Sequence, residues 1–297
     1  MFTKPQIALF IGILCIAIFP ILVKLNYTPG VISAFYRMAI ALAVLLPYAI
    51  IKKKIKIPST KVLLLTLLCG ALFGSDVAVW NIAIQESTAT QASLLTNLSP
   101  IWVGIATFLF LSPKPSRNFW IGTMIALFGM ITLVGFRFFL DLSFDIGFYF
   151  GILSGVFYSA YLLLSKHLLG NTDVVSFLTL SLLGSSIFLA GLSWYLGEPF
   201  SGFSNIGWGV LIVQGLVCQL LAWVLLSYAT KHMRATRVSL SLLGQAFLAA
   251  LFAWIFLNEE ITLQMVIGGI ILLFGIRVTF IDKPISLFPK KQVTTSL

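Results

Sequence analysis

Apolar runs recur along the chain at 6–25, 31–51, 62–84, 91–111, 119–136, 147–165, 174–196, 207–229, 236–257 and 263–281, with short polar stretches between them. Each run is close to the roughly 20 residues that a helix needs to cross a bilayer. The pattern predicts ten transmembrane helices and leaves no room for a water-soluble domain. The first run follows Lys4 and is as long as a full span, with no small-residue cleavage site after it. It is therefore read as the first span and not as a signal peptide. The tail, 283–297, is polar and basic.

Composition agrees. The chain is 59% hydrophobic and only 9% charged, against roughly 25% charged residues in a soluble domain. The formal charge of +10 is not a nucleic-acid footprint, because the bases sit in short loops without interleaved aromatics. Placing the N-terminus in the cytoplasm puts fifteen of the 19 bases inside, led by Lys52, Lys53, Lys54, Lys56 and Lys61. Only Lys24 and Arg137 fall outside, and Arg37 and Arg277 lie within spans. The acids Glu86, Asp141, Asp145, Glu198, Glu259 and Glu260 are all outside. The expectation is a multi-pass protein of the inner (plasma) membrane with both termini cytoplasmic.

A repeat refines this picture. At a constant offset of 146, Ala89-Thr90 matches Ala235-Thr236, Ser93-Leu94 matches Ser239-Leu240, Gly122 matches Gly268 and Gly129 matches Gly275. Spans three to five thus correspond to spans eight to ten. Five spans per half, an odd number, means that the halves are inverted relative to one another. The predicted fold is all-α integral membrane, ten transmembrane helices as two inverted five-helix repeats around a central cavity. Residues 1–140 form the first repeat and 141–282 the second. Inverted repeats around a midplane site are characteristic of secondary transporters.

Several stretches resemble the drug/metabolite transporter superfamily, in its EamA-like branch. They are Tyr36-Arg37 in span two, Ala89-Thr90-Gln91-Ala92 leading into Asn97-Leu98-Ser99-Pro100, and Glu259-Glu260 followed by Gly268-Gly269 and Gly275. The likeness covers essentially the whole chain and implies alternating access about a central cavity. One departure is Pro113-Lys114, where the second half has Glu259-Glu260. The branch carries amino acids, drugs and varied metabolites, so the resemblance does not select a substrate.

Candidate site residues are the polar groups inside spans. Arg37 is about 9 Å and Asp76 about 12 Å below the outer surface, at 1.5 Å per residue. Their matched depth predicts a pair. That pair is a structural lock, a seat for a charged substrate group, or a carboxylate that exchanges a proton. Trp80 shares the Asp76 helix face and is a cavity wall or a member of the outer aromatic belt. Asn97, Ser99 and Pro100 mark a polar, small-residue stretch, with Pro100 expected to free a carbonyl at mid-depth. Tyr158, Tyr161, Gln219 and Gln245 are the polar groups of the second half, and Gln245 aligns with Ser99 at the repeat offset.

Chemistry of other kinds finds little support. The three cysteines, Cys15, Cys69 and Cys218, are widely spaced in apolar runs, and His167 and His232 sit at span ends, so no metal or disulfide is expected. No phosphate-binding glycine loop for ATP is present. The expectation is a non-enzymatic secondary transporter without cofactor, moving a small polar metabolite such as an amino acid, as an exporter. An uncoupled facilitator and a lipid or drug translocator are the alternatives. Its partners are a small-molecule substrate, membrane lipid and, as a candidate coupling ion, the proton, with no nucleic acid, and it works as a monomer or a homodimer.

Overall fold

The computed structural model describes residues 3–25, 27–56, 59–86, 95–135, 144–257 and 260–281. Described helices are α1 (Lys4–Ala17), α2 (Phe19–Lys24), α3 (Gly30–Ile51), α4 (Thr60–Glu86), α5 (Ser99–Phe110), α6 (Arg117–Val134), α7 (Ile146–Asn171), α8 (Val174–Tyr195), α9 (Asn205–His232), α10 (Ala235–Leu242), α11 (Gly244–Leu257) and α12 (Leu263–Thr279). Within α9 the stretch Gln214–Leu221 is π-helical. Among the described residues, eight segments are long and apolar enough to cross a membrane, and α5 and α12 are shorter apolar helices. No strand occurs among the described residues.

Helix starts are written locally. Ser116, Asp145, Asp173, Ser204 and Thr262 each precede a helix and accept a hydrogen bond from a backbone N–H of its first turn. This satisfies one of the donors that every helix start leaves without an internal partner.

Three of the expected spans are broken. Span one divides at Ile18, ahead of Pro20 in the first turn of α2. Span four, expected at 91–111, turns at Asn97–Leu98, and its described helix, α5, has 12 residues. At 1.5 Å per residue that reaches about 18 Å, short of a ~30 Å hydrocarbon core. Span nine divides at Leu243 between α10 and α11. The two latter breaks fall within one residue of the same repeat position. Both are one-residue tightenings of the backbone, Leu98 N to Leu95 O and Leu243 N to Leu240 O, each 3.1 Å. Expectations resting on Ala89, Thr90, Gln91, Ala92, Ser93, Leu94, Arg137, Asp141, Glu259 and the tail 283–297 lie outside the described residues.

Packing is dictated by small residues. With lipid outside, helices gain little by burying apolar surface against each other, so close backbone approach and hydrogen bonds hold them. α6 and α12 meet through glycines. A Cβ on Gly129 would stand 2.3 Å from Leu272 N, and one on Gly268 2.2 Å from Leu133 N. Farther along, Gly122 faces Gly275 O at 2.6 Å. α4 lies on α7 and α8, α9 lies on α1 and α3, and α3 crosses α8. One buried cluster gathers Met38, Phe73, Tyr161, Leu182 and Trp223 from five helices. A smaller one joins Phe119, Met130, Leu240 and Leu272. The outer faces are apolar: Leu64, Phe108, Met124, Phe128, Ile187 and Phe274 are all exposed. Such a surface is tolerable only against hydrocarbon.

The α6–α12 contact makes a prediction. Gly129→Leu overpacks it and lowers stability by about 1–3 kcal/mol or more, read as an earlier thermal midpoint in detergent. Gly191→Ala, where an added Cβ meets nothing within 4 Å, leaves the midpoint in place.

Candidate functional site

Arg37 is 2% exposed and Asp76 6%, so both charges are buried in the protein. They do not pair. Among the described residues no salt bridge joins them, which corrects the expected contact. Arg37 Nε donates to Gln219 Oε1 at 2.8 Å and its Nη2 to Cys218 O at 3.4 Å. Its guanidinium lies over the Phe19 ring, 4.1 Å from the centroid, a stacking that favours a partly desolvated cation. Asp76 turns to α7, where Ser154 Oγ donates to its Oδ1 at 2.6 Å. Ser154 in turn accepts from Thr96 Oγ1 at 3.0 Å. The two charges remain within electrostatic reach of each other.

The π-helical stretch explains why Arg37 is diverted. Ser33 and Arg37 are four apart on α3 and share a face. Ser33 Oγ donates to Gln214 Oε1 at 2.8 Å, beside the Arg37–Gln219 bond. Gln214 and Gln219 are five apart, which in a regular α-helix would separate them by about 140° around the axis. The i→i+5 bonding of a π-helix brings them back to one side. Gly215 between them lets the backbones close in, since a Cβ there would stand 2.7 Å from Ile40 Cβ.

Around Asp76 the broken start of span four is fastened to α7. Ser159 Oγ reaches Ser99 O at 3.0 Å and Gly155 O at 2.7 Å. A Cβ on Gly155 would be 3.2 Å from Thr96 O, so the turn rests directly on the α7 backbone. Ser99 and Pro100 are buried and Asn97 half-buried. Pro100 stands in the first turn of α5, where its missing N–H leaves no internal bond unmade. Pro100 therefore begins a helix, where the expectation had it freeing a carbonyl inside a continuous span. Gln245 is half-buried at the start of α11, just past the Leu243 turn.

Tyr158 and Tyr161, one and two helical turns from Ser154, belong to an aromatic group. Tyr161 stacks on Phe73 with centroids 4.7 Å apart, and Trp223 meets Phe73 at 4.5 Å and Tyr161 at 5.4 Å. Tyr158 lies 6.4 Å from Trp223. The buried Trp223 Nε1 has no hydrogen-bond partner. Trp80 is half-buried with its ring 5.6 Å from Phe19, so it backs the platform under Arg37.

Sequence reasoning missed Ser154, Thr96, Gln214, Ser33, Phe19, Phe73 and Trp223. Serines and threonines are common in apolar spans and carry no distinguishing signal. The spacing of Gln214 and Gln219 gives one only to a reader expecting a π-turn.

The polar bonds at the site have a common geography. Ser33–Gln214, Arg37–Gln219, Asp76–Ser154, Thr96–Ser154 and Ser159–Ser99 each link a residue before position 136 to one after 144. A model of the EamA-like transporter family matches residues 3–135 and 145–281. The chain belongs to the EamA-like transporter family. It is a multi-pass membrane protein, and the family makes it a transporter with a small-molecule substrate. Over 262 residues it is 27% identical to the uncharacterized transporter YdfC of Bacillus subtilis, covering 86% of this chain and 83% of that one. It is 29% identical over 223 residues to an uncharacterized transporter of Archaeoglobus fulgidus, covering 72% and 76%. A solved crystal structure shares the fold with TM-score 0.78 at 15% identity, covering 93% of this chain and 96% of that one. The seam of polar bonds runs between the two matched stretches.

The Arg37 geometry is testable by stability alone. Gln219→Ala removes its main acceptor and leaves a buried cation short of a partner, at a cost of about 1–3 kcal/mol, while Gln219→Glu keeps an acceptor and retains the wild-type thermal midpoint or raises it. Equal midpoints for Gln219→Ala and wild type would remove Gln219 from the account.

Proposed function

We propose that this chain is a secondary transporter that exports a small polar metabolite, an amino acid or a related compound, by alternating access. Its architecture is read as ten spans in two inverted repeats, 1–140 and 141–282. The exchange of packing partners supports inversion. α4 lies on α7 and α8, and α9, its counterpart at the repeat offset, lies on α1 and α3. Gly122 and Gly129 meet Gly275 and Gly268, which are each other's repeat partners in swapped order. A two-fold axis in the membrane plane produces this swap. The distribution of bases supports cytoplasmic termini in the inner membrane.

One observation carries the substrate reading. Two opposite buried charges lie within electrostatic reach, yet each holds a neutral partner across the seam between the halves. An amino acid presents a carboxylate and an ammonium on one small frame. Its carboxylate replaces Gln219 at Arg37, and its ammonium replaces Ser154 at Asp76. Both exchanges substitute a charge-assisted bond for a charge–neutral one, which strengthens binding.

The same bonds describe the gate. In this conformation the seam is closed, with Arg37, Asp76, Tyr161 and Gln219 all buried. Hydrogen bonds between membrane helices are worth about 0.6 kcal/mol on average, so a handful of them can be exchanged as the halves rock and a central cavity opens. Asp76 is the acid through which a counter-moving proton is coupled.

The test is counterflow in proteoliposomes preloaded with an unlabelled mixture of the common amino acids and supplied with the same mixture radiolabelled. Wild type accumulates label. Arg37→Gln and Asp76→Asn, which keep hydrogen-bonding groups in place, reduce uptake at least about tenfold, as expected for loss of about 1.4 kcal/mol or more of substrate binding. Unchanged uptake by both variants overturns the zwitterion reading. An imposed pH gradient that leaves wild-type uptake unaltered makes the protein an uncoupled facilitator.

A further inference from the structure

At the end of the molecule that carries the lysine-rich turn, the N-terminus of α4 and the C-terminus of α7 enclose a pocket of about 200 Å³ lined by Lys61, Val62, Leu65, His167, Leu168 and Asn171. It is well away from Arg37 and Asp76 in sequence and on the helices, since Asp76 is fifteen residues beyond Lys61 on α4, about 22 Å along the axis.

The rim is made of donors. Lys61, His167 and Asn171 are all exposed, and they offer an ammonium, a ring N–H and an amide. No carboxylate lines the pocket. The nearest acid in sequence, Asp173, is engaged as the cap of α8 through Val175 N at 3.0 Å. Other bases at this corner are also engaged: Lys166 Nζ donates to Lys231 O at 2.8 Å, and Lys231 Nζ to Thr172 O at 2.7 Å. The turn Lys52–Lys56 is tied to the same corner, because Ser176 Oγ donates to Lys54 O and accepts from Lys56 N at 2.9 Å. Its lysines add to the local positive field.

The rest is apolar: Val62, Leu65 and Leu168 complete the lining beside the donors. Leu64 and Leu68, three and seven residues beyond Lys61 and hence on its face of α4, are 60% and 51% exposed. A column of lipid-facing leucine therefore runs from the donors into the hydrocarbon. A soluble anion has no use for such a column, whereas an amphiphile uses both parts.

We infer that this pocket seats the headgroup of an anionic phospholipid from the surrounding leaflet. Its phosphate sits among Lys61, His167 and Asn171 and an acyl chain lies along Leu64 and Leu68. Basic residues at a membrane surface attract such lipids, and the seat joins α4 to α7, two elements of the seam.

The test is native mass spectrometry of the full chain in a neutral detergent, titrated separately with phosphatidylglycerol, with phosphatidylcholine of the same acyl chains, and with inorganic phosphate. Phosphatidylglycerol is expected to bind more tightly than phosphatidylcholine. The doubly substituted Lys61→Gln, His167→Gln protein, altered only at exposed positions, loses that preference by about fivefold or more. Lys114→Gln, an exposed base on another loop, keeps it. Equal binding of the two lipids, or an unchanged preference in the double variant, overturns the assignment. Inorganic phosphate binding as tightly as phosphatidylglycerol overturns the lipid in favour of a free anion. None of these outcomes bears on the transport measurement.

Discussion

A charge inside a bilayer must be given partners, and here both charges of the site take neutral ones from the other half of the chain. A desolvated ion is stable only when hydrogen bonds replace water. Arg37 uses the Gln219 side chain, the Cys218 carbonyl and the Phe19 ring. Asp76 uses Ser154, itself braced by Thr96. Had Arg37 and Asp76 closed on each other, the first half would be locked internally and its charges spent. Because they reach across instead, the two halves are held together by hydrogen bonds to neutral partners.

Local distortions of helix geometry make this arrangement possible. The π-turn at Gln214–Leu221 presents two glutamines to α3 where a regular helix would present one. The turn at Asn97–Leu98 interrupts span four beside α7, and the turn at Leu243 interrupts span nine within one residue of the equivalent place. Backbone irregularity at membrane depth is tolerated only where protein covers it. Here Gly155, Ser159 and the aromatic group around Tyr161 supply that cover on the α7 side. The regular parts, the close glycine-to-glycine contact of α6 with α12 above all, frame the site.

The sequence made the outline legible because its signals are collective. Apolar runs, bases concentrated in alternate loops and matched glycines each involve many residues, so the membrane class and the family likeness follow from them. The site was legible in part. Arg37, Asp76 and Gln219 stand out as polar groups among apolar neighbours, and all three are brought to one seam. Their partnership was not legible. Matched depth suggested that Arg37 faces Asp76, but depth says nothing about rotation around a helix axis. The five-residue spacing of Gln214 and Gln219 looks unfavourable until the π-turn is known. Ser154 is one small hydroxyl among many, and only tertiary contact singles it out. Pro100 misled for the opposite reason: within a continuous span it breaks the helix, whereas at a helix start it fits.

The separation of the two charges is tested most directly by a double-mutant cycle of thermal stability in detergent. Arg37→Gln, Asp76→Asn and the double variant are compared with the parent in the absence of substrate. Charges held by separate neutral partners leave the double variant less stable than either single variant, with only a small coupling from their remaining attraction. A double variant more stable than either single variant, with a coupling of several kcal/mol, is the behaviour of a buried ion pair and would contradict the account.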